Sequence, residues 1–252
     1  MKNRLSTVLI ITFLALPVAK ADDLNTSFDY SSLKWFGNLS TTYMDANGDI
    51  NFYGTTTAVY GGAPTISMDD GQGISMAVGF KTHDGWRLSI EASHVTSNSS
   101  THDFLGHDDR MDDTFRVDAE IESLVFMLNG GYDFDIGSER FTPFLEAGVG
   151  VTRNESTYAL LDVNYDSLIW NGTPLDDQHL EKYMYPGGKY TDFAWSVSAG
   201  LRMALTERFD LSLSYGLLNL GDAQTDTDSG GNAIGFDDLS YQQWKVGFDF
   251  EF

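Results

Sequence analysis

The last nine residues of the chain, WKVGFDFEF, alternate between apolar and non-apolar side chains up to the terminus. Trp244, Val246, Phe248, Phe250 and Phe252 occupy every second position, and small or charged residues lie between them. Successive side chains of a β-strand point to opposite faces, so this period of two predicts a strand with one apolar face. Chain termini are usually polar and frayed, so this apolar face must contact something that excludes water.

The same alternation recurs along the chain and predicts eight strands, an even number. Their outward-facing sets cover 35–43, 74–80, 86–92, 124–132, 143–151, 193–203, 209–217 and 244–252. Strands two and three, four and five, and six and seven are joined by the short turns THDG, DFDIGSER and LTER. The other four connections are predicted to be long loops, at 45–72, 95–118, 154–191 and 219–238. Short turns at one end and long loops at the other are typical of outer-membrane barrels.

The length of the sixth strand supports the same architecture. Its apolar set runs from Phe193 to Met203, which at about 3.3 Å per residue is about 36 Å of strand. Tilted by about 45°, it covers the apolar band of about 25 Å found in such barrels. We therefore predict an all-β fold, an eight-stranded antiparallel up-and-down transmembrane β-barrel that closes the last strand against the first. A soluble β-sandwich that buries the same faces is the alternative.

Aromatic side chains are expected at both membrane interfaces of such a barrel. Trp35 and Trp86 begin odd-numbered strands, and Tyr132 ends an even-numbered one, which predicts a girdle at the periplasmic interface. Phe193 and Trp195 begin the sixth strand and predict a girdle at the opposite interface.

The N-terminus has the pattern of a secretory signal peptide, residues 1–21, which would leave one barrel domain at 22–252. Lys2 and Arg4 precede the apolar run VLIITFLAL, and AKA ends at Ala21 as a small-residue cleavage site. The chain has no cysteine, which excludes disulfides, and a formal net charge of −22, which makes nucleic acid an unsuitable partner. We expect export by the Sec pathway to the outer membrane of a Gram-negative cell.

Two stretches of the sequence resemble a known family. LNGGYDF at 128–134 with FTPFLEAGVGV at 141–151, and FAWSVSAGLRMALTERFDLSLSYGLLNLGD at 193–222, are similar to strands four to seven of opacity-type, OmpA-like outer-membrane barrels. The resemblance implies an eight-stranded barrel whose relatives are mostly surface structural proteins and adhesins, sometimes porins. It also implies that Trp244, Val246, Phe248, Phe250 and Phe252 form the signal read by the barrel-assembly machinery.

Charged residues also lie at inward positions of the predicted strands. An eight-stranded barrel is just wide enough to be filled by side chains, and a buried charge needs a partner. The sequence therefore predicts a lumen closed by paired charges, with Glu146 and Arg202 as the first candidate pair because strands five and six are neighbours. A narrow ion path through the same residues is the alternative. The predicted network comprises Lys81, Arg87, Glu91, Glu146, Arg202 and Lys245.

The four long connections all carry a net negative charge, which suggests that they bind cations. DANGDIN places Asp45, Asn47 and Asp49 at the spacing of oxygen ligands in a calcium loop. The stretch lacks the glycine after the third ligand and the distal glutamate of an EF-hand, so a solvated acidic turn is the competing interpretation. No cofactor is expected, apart from divalent cations at these acidic loops.

The function predicted from the sequence is that of an integral outer-membrane protein, without catalysis, that displays acidic loops for adhesion, surface interaction or envelope structure. A small porin-like channel is the first alternative. A hydrolase at the outer rim is the second, because SHVTSNSSTHDFLGHDDRMDD gathers His94, Ser97, His102, Asp103, His107 and Asp108, residue types that could form a Ser/His or Asp/His site. Expected partners are membrane lipid and lipopolysaccharide, periplasmic chaperones and the assembly machinery, and a host or other surface ligand.

Overall fold

The computed structural model describes residues 33–53, 68–99, 113–165, 169–170, 173–174, 181–227, 231 and 233–252. The predicted signal peptide lies outside the described residues. In the described part of the chain, no helix is long and apolar enough to cross a membrane. Eight long strands are present: β1 (Lys34–Tyr53), β2 (Met68–Lys81), β3 (Trp86–Ser99), β4 (Asp113–Asp133), β5 (Phe141–Tyr165), β6 (Glu181–Ala204), β7 (Phe209–Asn219) and β8 (Ala233–Glu251).

The eight strands form a closed antiparallel ring. Each pairs with its neighbour in sequence, and β1 pairs with β8 from Phe36 opposite Glu251 to Tyr53 opposite Ala233. β1 is paired on both sides from Phe36 to Met44 and β8 from Ser240 to Phe250, so closure leaves no free edge around this part of the ring. The predicted up-and-down barrel and its closing pair are confirmed.

The strands extend farther than the sequence pattern indicates. β1 reaches Tyr53, and β4, β5 and β6 contain 21, 25 and 24 residues. The predicted bounds of the long loops are therefore too wide, because strands extend into all four stretches: 45–72, 95–118, 154–191 and 219–238. Cross-strand hydrogen bonds continue beyond the apolar band because the backbone groups still satisfy each other there. The alternation of apolar and polar side chains ends sooner, because beyond the apolar band neither face of a strand contacts lipid.

The connections at the other end are tight turns. Thr82 N donates to Trp86 O at 2.8 Å between β2 and β3, and Leu205 N donates to Phe209 O at 2.9 Å between β6 and β7. These short turns and the long extensions lie at opposite ends of the barrel, as the connection lengths predict.

The outer surface of the barrel is apolar, and its interior is divided. Large apolar side chains such as Ile74, Ile90 and Phe248 are exposed on the outside of the ring. Inside, the charged groups lie in the half near the short turns, and the half near the strand extensions holds large apolar side chains together with small uncharged polar ones. We call these the periplasmic half and the extracellular half. Three further strands are only two residues long: Ile169–Trp170, Thr173–Pro174 and Ala223–Gln224.

Candidate functional site

Four charged side chains form a buried network in the periplasmic half of the lumen. Arg87 Nη2 donates to Asp249 Oδ1 at 2.7 Å, and Arg87 Nη1 lies 3.6 Å from Asp133 Oδ2. Arg202 donates to Asp133, and its Nε lies 3.7 Å from Asp249 Oδ2. Two guanidinium groups and two carboxylates therefore neutralise one another across strands β3, β4, β6 and β8. Buried charges are stable only when they are paired in this way.

Each guanidinium of the network also lies over an aromatic ring. The Arg87 guanidinium carbon is 3.8 Å from the centre of the Phe36 ring, and that of Arg202 is 3.7 Å from the centre of the Phe144 ring. Both rings are buried. The planar faces of the two arginines are thus covered by apolar groups while their edges bind the aspartates.

A second charged cluster lies farther from the periplasmic end. Lys245 Nζ donates to both carboxylate oxygens of Glu91 at 2.7 Å. Asn129 Nδ2 donates to Glu91 Oε2 at 3.0 Å, and Ser93 Oγ donates to Glu91 Oε1 at 2.9 Å. Both oxygens of the Glu91 carboxylate accept hydrogen bonds, so this cluster links β3, β4 and β8.

The predicted pairing of Glu146 with Arg202 is wrong. Glu146 lies opposite Ser198, whereas Arg202 lies opposite Thr142, so the two residues are separated by about 13 Å along the strands. In the described part of the chain Glu146 forms no ion pair. Instead its side chain lines the space between the two clusters, together with Glu91 and Lys245. Neighbouring strands alone do not determine a pair, because the stagger between them decides which inward residues meet.

Lys81 lies apart from the other predicted lumen residues. It forms an ion pair with Glu251 at the periplasmic end, where Lys34 also approaches Glu251 at 3.6 Å. The other five predicted lumen residues all line the interior. Asp133 and Asp249, which bind the two arginines, were missed from the predicted set. The sequence does indicate that both aspartates point inward, since Asp133 follows the outward Tyr132 and Asp249 lies between the outward Phe248 and Phe250.

The space left in the charged half is small. Two cavities of about 30 Å³ each are lined by these residues, and Glu91, Glu146 and Lys245 border both. Each has room for about two water molecules. One of the two cavities also reaches Met44 and Val125 in the other half.

The extracellular half of the lumen is closed by apolar side chains. Met44, Phe236, Leu239 and Tyr241 are buried here, and the Tyr241 hydroxyl lies 3.0 Å from Ser97 Oγ. Ile121, Val125, Leu220 and Ile234 are buried as well. The prediction of a lumen closed by charges therefore describes only one half. Met44 and Val125 alternate with outward residues of their strands, but Leu220, Ile234 and Phe236 lie in 219–238, which the sequence predicts to be a loop.

The segment after β7 contributes buried side chains, Leu220 and Ala223, to this apolar half. We call residues 220–226 the plug segment. Asn154 Nδ2 donates to Leu220 O at 2.9 Å and to Asp222 O at 2.8 Å. Asp226 N donates to Pro186 O at 3.1 Å, and Thr225 N donates to Ile234 O at 2.9 Å. The plug segment is thus hydrogen-bonded to β5, β6 and β8, and its residues Ala223–Gln224 pair with β8 as part of the sheet.

Two glycines permit this close approach. A Cβ at Gly188 would lie 2.3 Å from the Gln224 carbonyl oxygen, and a Cβ at Gly221 would lie 2.5 Å from Asp192 Oδ2. Gly221 also has a φ of 65°, in the left-handed region that glycine tolerates best. Any side chain at either position would push the plug segment away from β6.

The predicted calcium ligands lie in a strand. Asp45, Asn47 and Asp49 belong to β1 and pair with β8, with an irregularity between Asn47 and Asp49. The Asp45 side chain is exposed, and the side chains of the other two fall outside the described residues. Among the side chains that are described, no three acidic or histidine groups are arranged to hold a metal ion.

The residues considered for a rim hydrolase do not converge where they are described. His94 is exposed on the outside of the barrel, 3.8 Å from Glu122, whereas Ser97 is buried inside it. An odd spacing along one strand places two side chains on opposite faces. His102, Asp103, His107 and Asp108 lie outside the described residues.

Aromatic residues line both ends of the apolar surface. At the periplasmic end, the rings of Trp35 and Phe80 are 6.0 Å apart, and those of Trp86 and Tyr132 are 5.1 Å apart. At the other end Phe193 is exposed and Trp195 is half-buried, while the rings of Tyr215 and Trp244 are 4.8 Å apart.

The five residues of the predicted assembly signal are exposed on the outside of β8 and its end, from Trp244 to Phe252. Trp244 also lies opposite Tyr43 across the closing pair of strands.

Comparison with known proteins agrees with this geometry. The family model "Outer membrane protein beta-barrel domain" matches residues 7–252. The chain belongs to this family. It is 24% identical over 192 residues to outer membrane protein PagN of Salmonella typhimurium, covering 74% of this chain and 69% of PagN.

Solved barrels share the fold. OprG of Pseudomonas aeruginosa is 13% identical with a TM-score of 0.55, covering 87% of this chain and 95% of OprG. Neisserial surface protein A is 14% identical with a TM-score of 0.47, covering 86% of this chain and 97% of that protein. The resemblance to eight-stranded outer-membrane barrels is confirmed, and the protein is an integral outer-membrane β-barrel of the type found in Gram-negative bacteria.

Proposed function

We propose that this outer-membrane protein conducts no solute and catalyses no reaction, and that it acts through the surface it displays outside the cell, in adhesion or another surface interaction. The observation that carries the proposal is the double closure of the lumen. The charged network occupies the periplasmic half, and the apolar side chains with the plug segment occupy the extracellular half. A solute that crossed the lumen would have to displace the charged network and also the apolar side chains with the plug segment.

The extracellular end supports a role in display. The strands β4, β5 and β6 continue well beyond the length needed to cross the apolar band, and paired strands give a rigid base for surface segments. The sequence stretches 100–112, 166–180 and 220–232 at this end are rich in aspartate, whereas 54–67 has no acidic residue. Loops carried on a rigid scaffold are where binding residues concentrate. An acidic surface favours cationic ligands or divalent cations.

Other expected partners belong to the same proposal. Export through the Sec pathway, passage by periplasmic chaperones and recognition of the stretch from Trp244 to Phe252 by the assembly machinery would deliver the chain to the membrane. Lipid and lipopolysaccharide would surround its exposed apolar face.

Planar-bilayer recording of the refolded protein tests the closed lumen. We expect no reproducible conductance steps from the wild-type chain under conditions where a porin conducts. Steps that change in size in Glu146→Gln or Arg202→Gln would establish a path through the lumen and overturn the proposal in favour of a small channel.

An adhesion assay tests the display role. Cells that present the chain should bind to host-cell or matrix surfaces more than cells without it. Shortening the sequence stretches 54–67 and 100–112 should abolish the difference while the barrel still reaches the membrane. Binding that survives both deletions would place the interaction elsewhere. Hydrolysis of lipid A or peptides that is lost in His94→Ala or His102→Ala would reveal an enzyme instead.

A further inference from the structure

The charged side chains inside the lumen do not balance. Three cationic and four anionic groups form the two clusters and border the space between them: Arg87, Arg202, Lys245, Glu91, Asp133, Glu146 and Asp249. The arginines neutralise the two aspartates, and Lys245 Nζ donates to both carboxylate oxygens of Glu91 at 2.7 Å. At the periplasmic end two further cations and two further anions offset one another: Lys34, Lys81, Asp210 and Glu251. Among the residues that the structure describes, Glu146 is therefore left without an ionic partner, and the lumen has one excess negative charge.

A second oxygen beside Glu146 also lacks a partner. Asn129 is 3% exposed, and its Oδ1 accepts no hydrogen bond from any described residue. Its Nδ2 donates to Glu91 Oε2 at 3.0 Å, so the amide oxygen points away from Glu91. Asn129 lies opposite Gly148 on β5, which is two residues from Glu146 on the same inward face. Asn129 and Glu146 line the same cavity of about 30 Å³, so an unpaired carboxylate and an unpaired amide oxygen border one space.

The wall of this cavity along β5 and β6 is rich in oxygen atoms. Ser196 and Ser198 lie opposite Gly148 and Glu146 on β6, and both serines border the cavity. Gly148 allows the oxygens to approach one another, since a Cβ there would lie 2.0 Å from Asn129 Oδ1 and 3.0 Å from Ser196 Oγ. Carboxylate, amide and hydroxyl oxygens therefore lie on one side of the cavity. Such oxygens are ligands for hard cations.

We propose that this cavity binds one small alkali-metal cation, Na⁺, through the Glu146 carboxylate and Asn129 Oδ1. A water molecule would donate to both oxygens but would leave the excess charge, and a buried charge needs compensation. A monovalent cation cancels that charge, whereas a divalent cation would leave an excess positive charge beside Lys245. Room for about two water molecules admits such an ion together with one water. The proposal concerns only the interior of the barrel, so it stands independently of the adhesion role.

The test is urea unfolding of the refolded barrel in zwitterionic micelles, with NaCl exchanged for N-methyl-D-glucamine chloride at constant ionic strength. The organic cation is too large for the cavity. If the dissociation constant is about 10 mM, raising Na⁺ from about 1 to about 100 mM should lower the unfolding equilibrium constant about tenfold. Glu146→Gln removes the excess charge, so its unfolding should not respond to Na⁺. Glu146→Asp keeps the charge and should keep part of the response.

Glu207→Gln is the matched control, since Glu207 is an exposed glutamate at a periplasmic turn. It removes the same charge outside the lumen and should keep the full response to Na⁺. Equal unfolding constants of the wild-type barrel in the two salts would overturn the proposal, and this measurement does not depend on the folding of any variant. A full response in Glu146→Gln would overturn it as well, because the ion would then bind elsewhere, for example at the acidic loops. Equal losses in Glu146→Gln and Glu207→Gln would also overturn it, since they would reduce the effect to net charge.

Discussion

The two halves of the lumen are held together by different interactions, ion pairs in one and apolar packing in the other. In the periplasmic half, Arg87 and Arg202 are held by aspartates and each cation needs its partner. In the extracellular half, Phe236 and Leu239 are buried among other apolar side chains and need only a matching volume. Both arrangements fill space inside the ring. We therefore expect a substitution in the periplasmic half to lower stability when it removes a charge, even if the shape of the side chain is kept. In the extracellular half, we expect stability to fall when the shape changes, even if the side chain stays apolar.

The largest expected effect comes from removing one shared carboxylate. Asp249→Ala would leave both arginines with Asp133 alone. Because an uncompensated buried charge is costly, we expect the free energy of unfolding to fall by about 3–5 kcal/mol. Urea unfolding in detergent micelles, followed by tryptophan fluorescence, measures it. Asp84→Ala, at an exposed turn, serves as the control, and a loss below about 1 kcal/mol would mean that the network does not need Asp249.

Truncation of the apolar half should cost almost as much. Leu220 is fully buried, and Leu220→Ala should lower the free energy of unfolding by about 2–5 kcal/mol through the cavity it leaves. Leu205→Ala, at an exposed turn position, is the matched control and should change little.

A volume-conserving change sharpens the comparison between the halves. Leu220→Met should cost less than about 1.5 kcal/mol, whereas Asp249→Asn keeps the shape but removes the charge and should remain more costly. If the two conservative variants were equally tolerated, the distinction between the halves would be wrong.

An intermediate effect is expected at the close approach of the plug segment. Gly221→Ala introduces a side chain at positive φ and against Asp192, and it should destabilise the barrel by about 1–3 kcal/mol. Gly137 has a φ of 72° but no atom near its Cβ position, so Gly137→Ala isolates the cost of φ alone. Thermal unfolding should show a clearly larger loss for Gly221→Ala. Equal losses would show that the contact with Asp192 adds nothing.

The smallest effect concerns the hydrogen bond that joins Tyr241 to Ser97 in the extracellular half. Tyr241→Phe should cost about 0.5–1.5 kcal/mol, and Ser97→Ala combined with it should cost less than the sum of the two single changes. Tyr215→Phe removes a hydroxyl that donates to Gln242 at the exposed surface and should cost less. Additive losses in the Tyr241 and Ser97 cycle would mean that the two hydroxyls do not interact.

The wall of the barrel could be predicted from the sequence because lipid imposes a period of two on every strand. Residues 193–203 and 244–252 show this period without any knowledge of their neighbours. The inward positions could also be recognised, since Arg87, Glu91 and Lys245 alternate with outward residues. Their partners could not, because the stagger of strands in a closed ring brings Asp133 and Asp249 to Arg202 rather than Glu146.

The sequence by itself determined that this protein is an eight-stranded barrel with a lipid-facing surface, because strand period, strand number and connection length are local properties. Only the tertiary structure decided how the lumen is closed. The plug segment turns at Gly221 and is held by the side chain of Asn154, which lies 66 residues from Leu220 along the chain. Such a contact depends on the curvature and stagger of the whole ring, and no local pattern contains it.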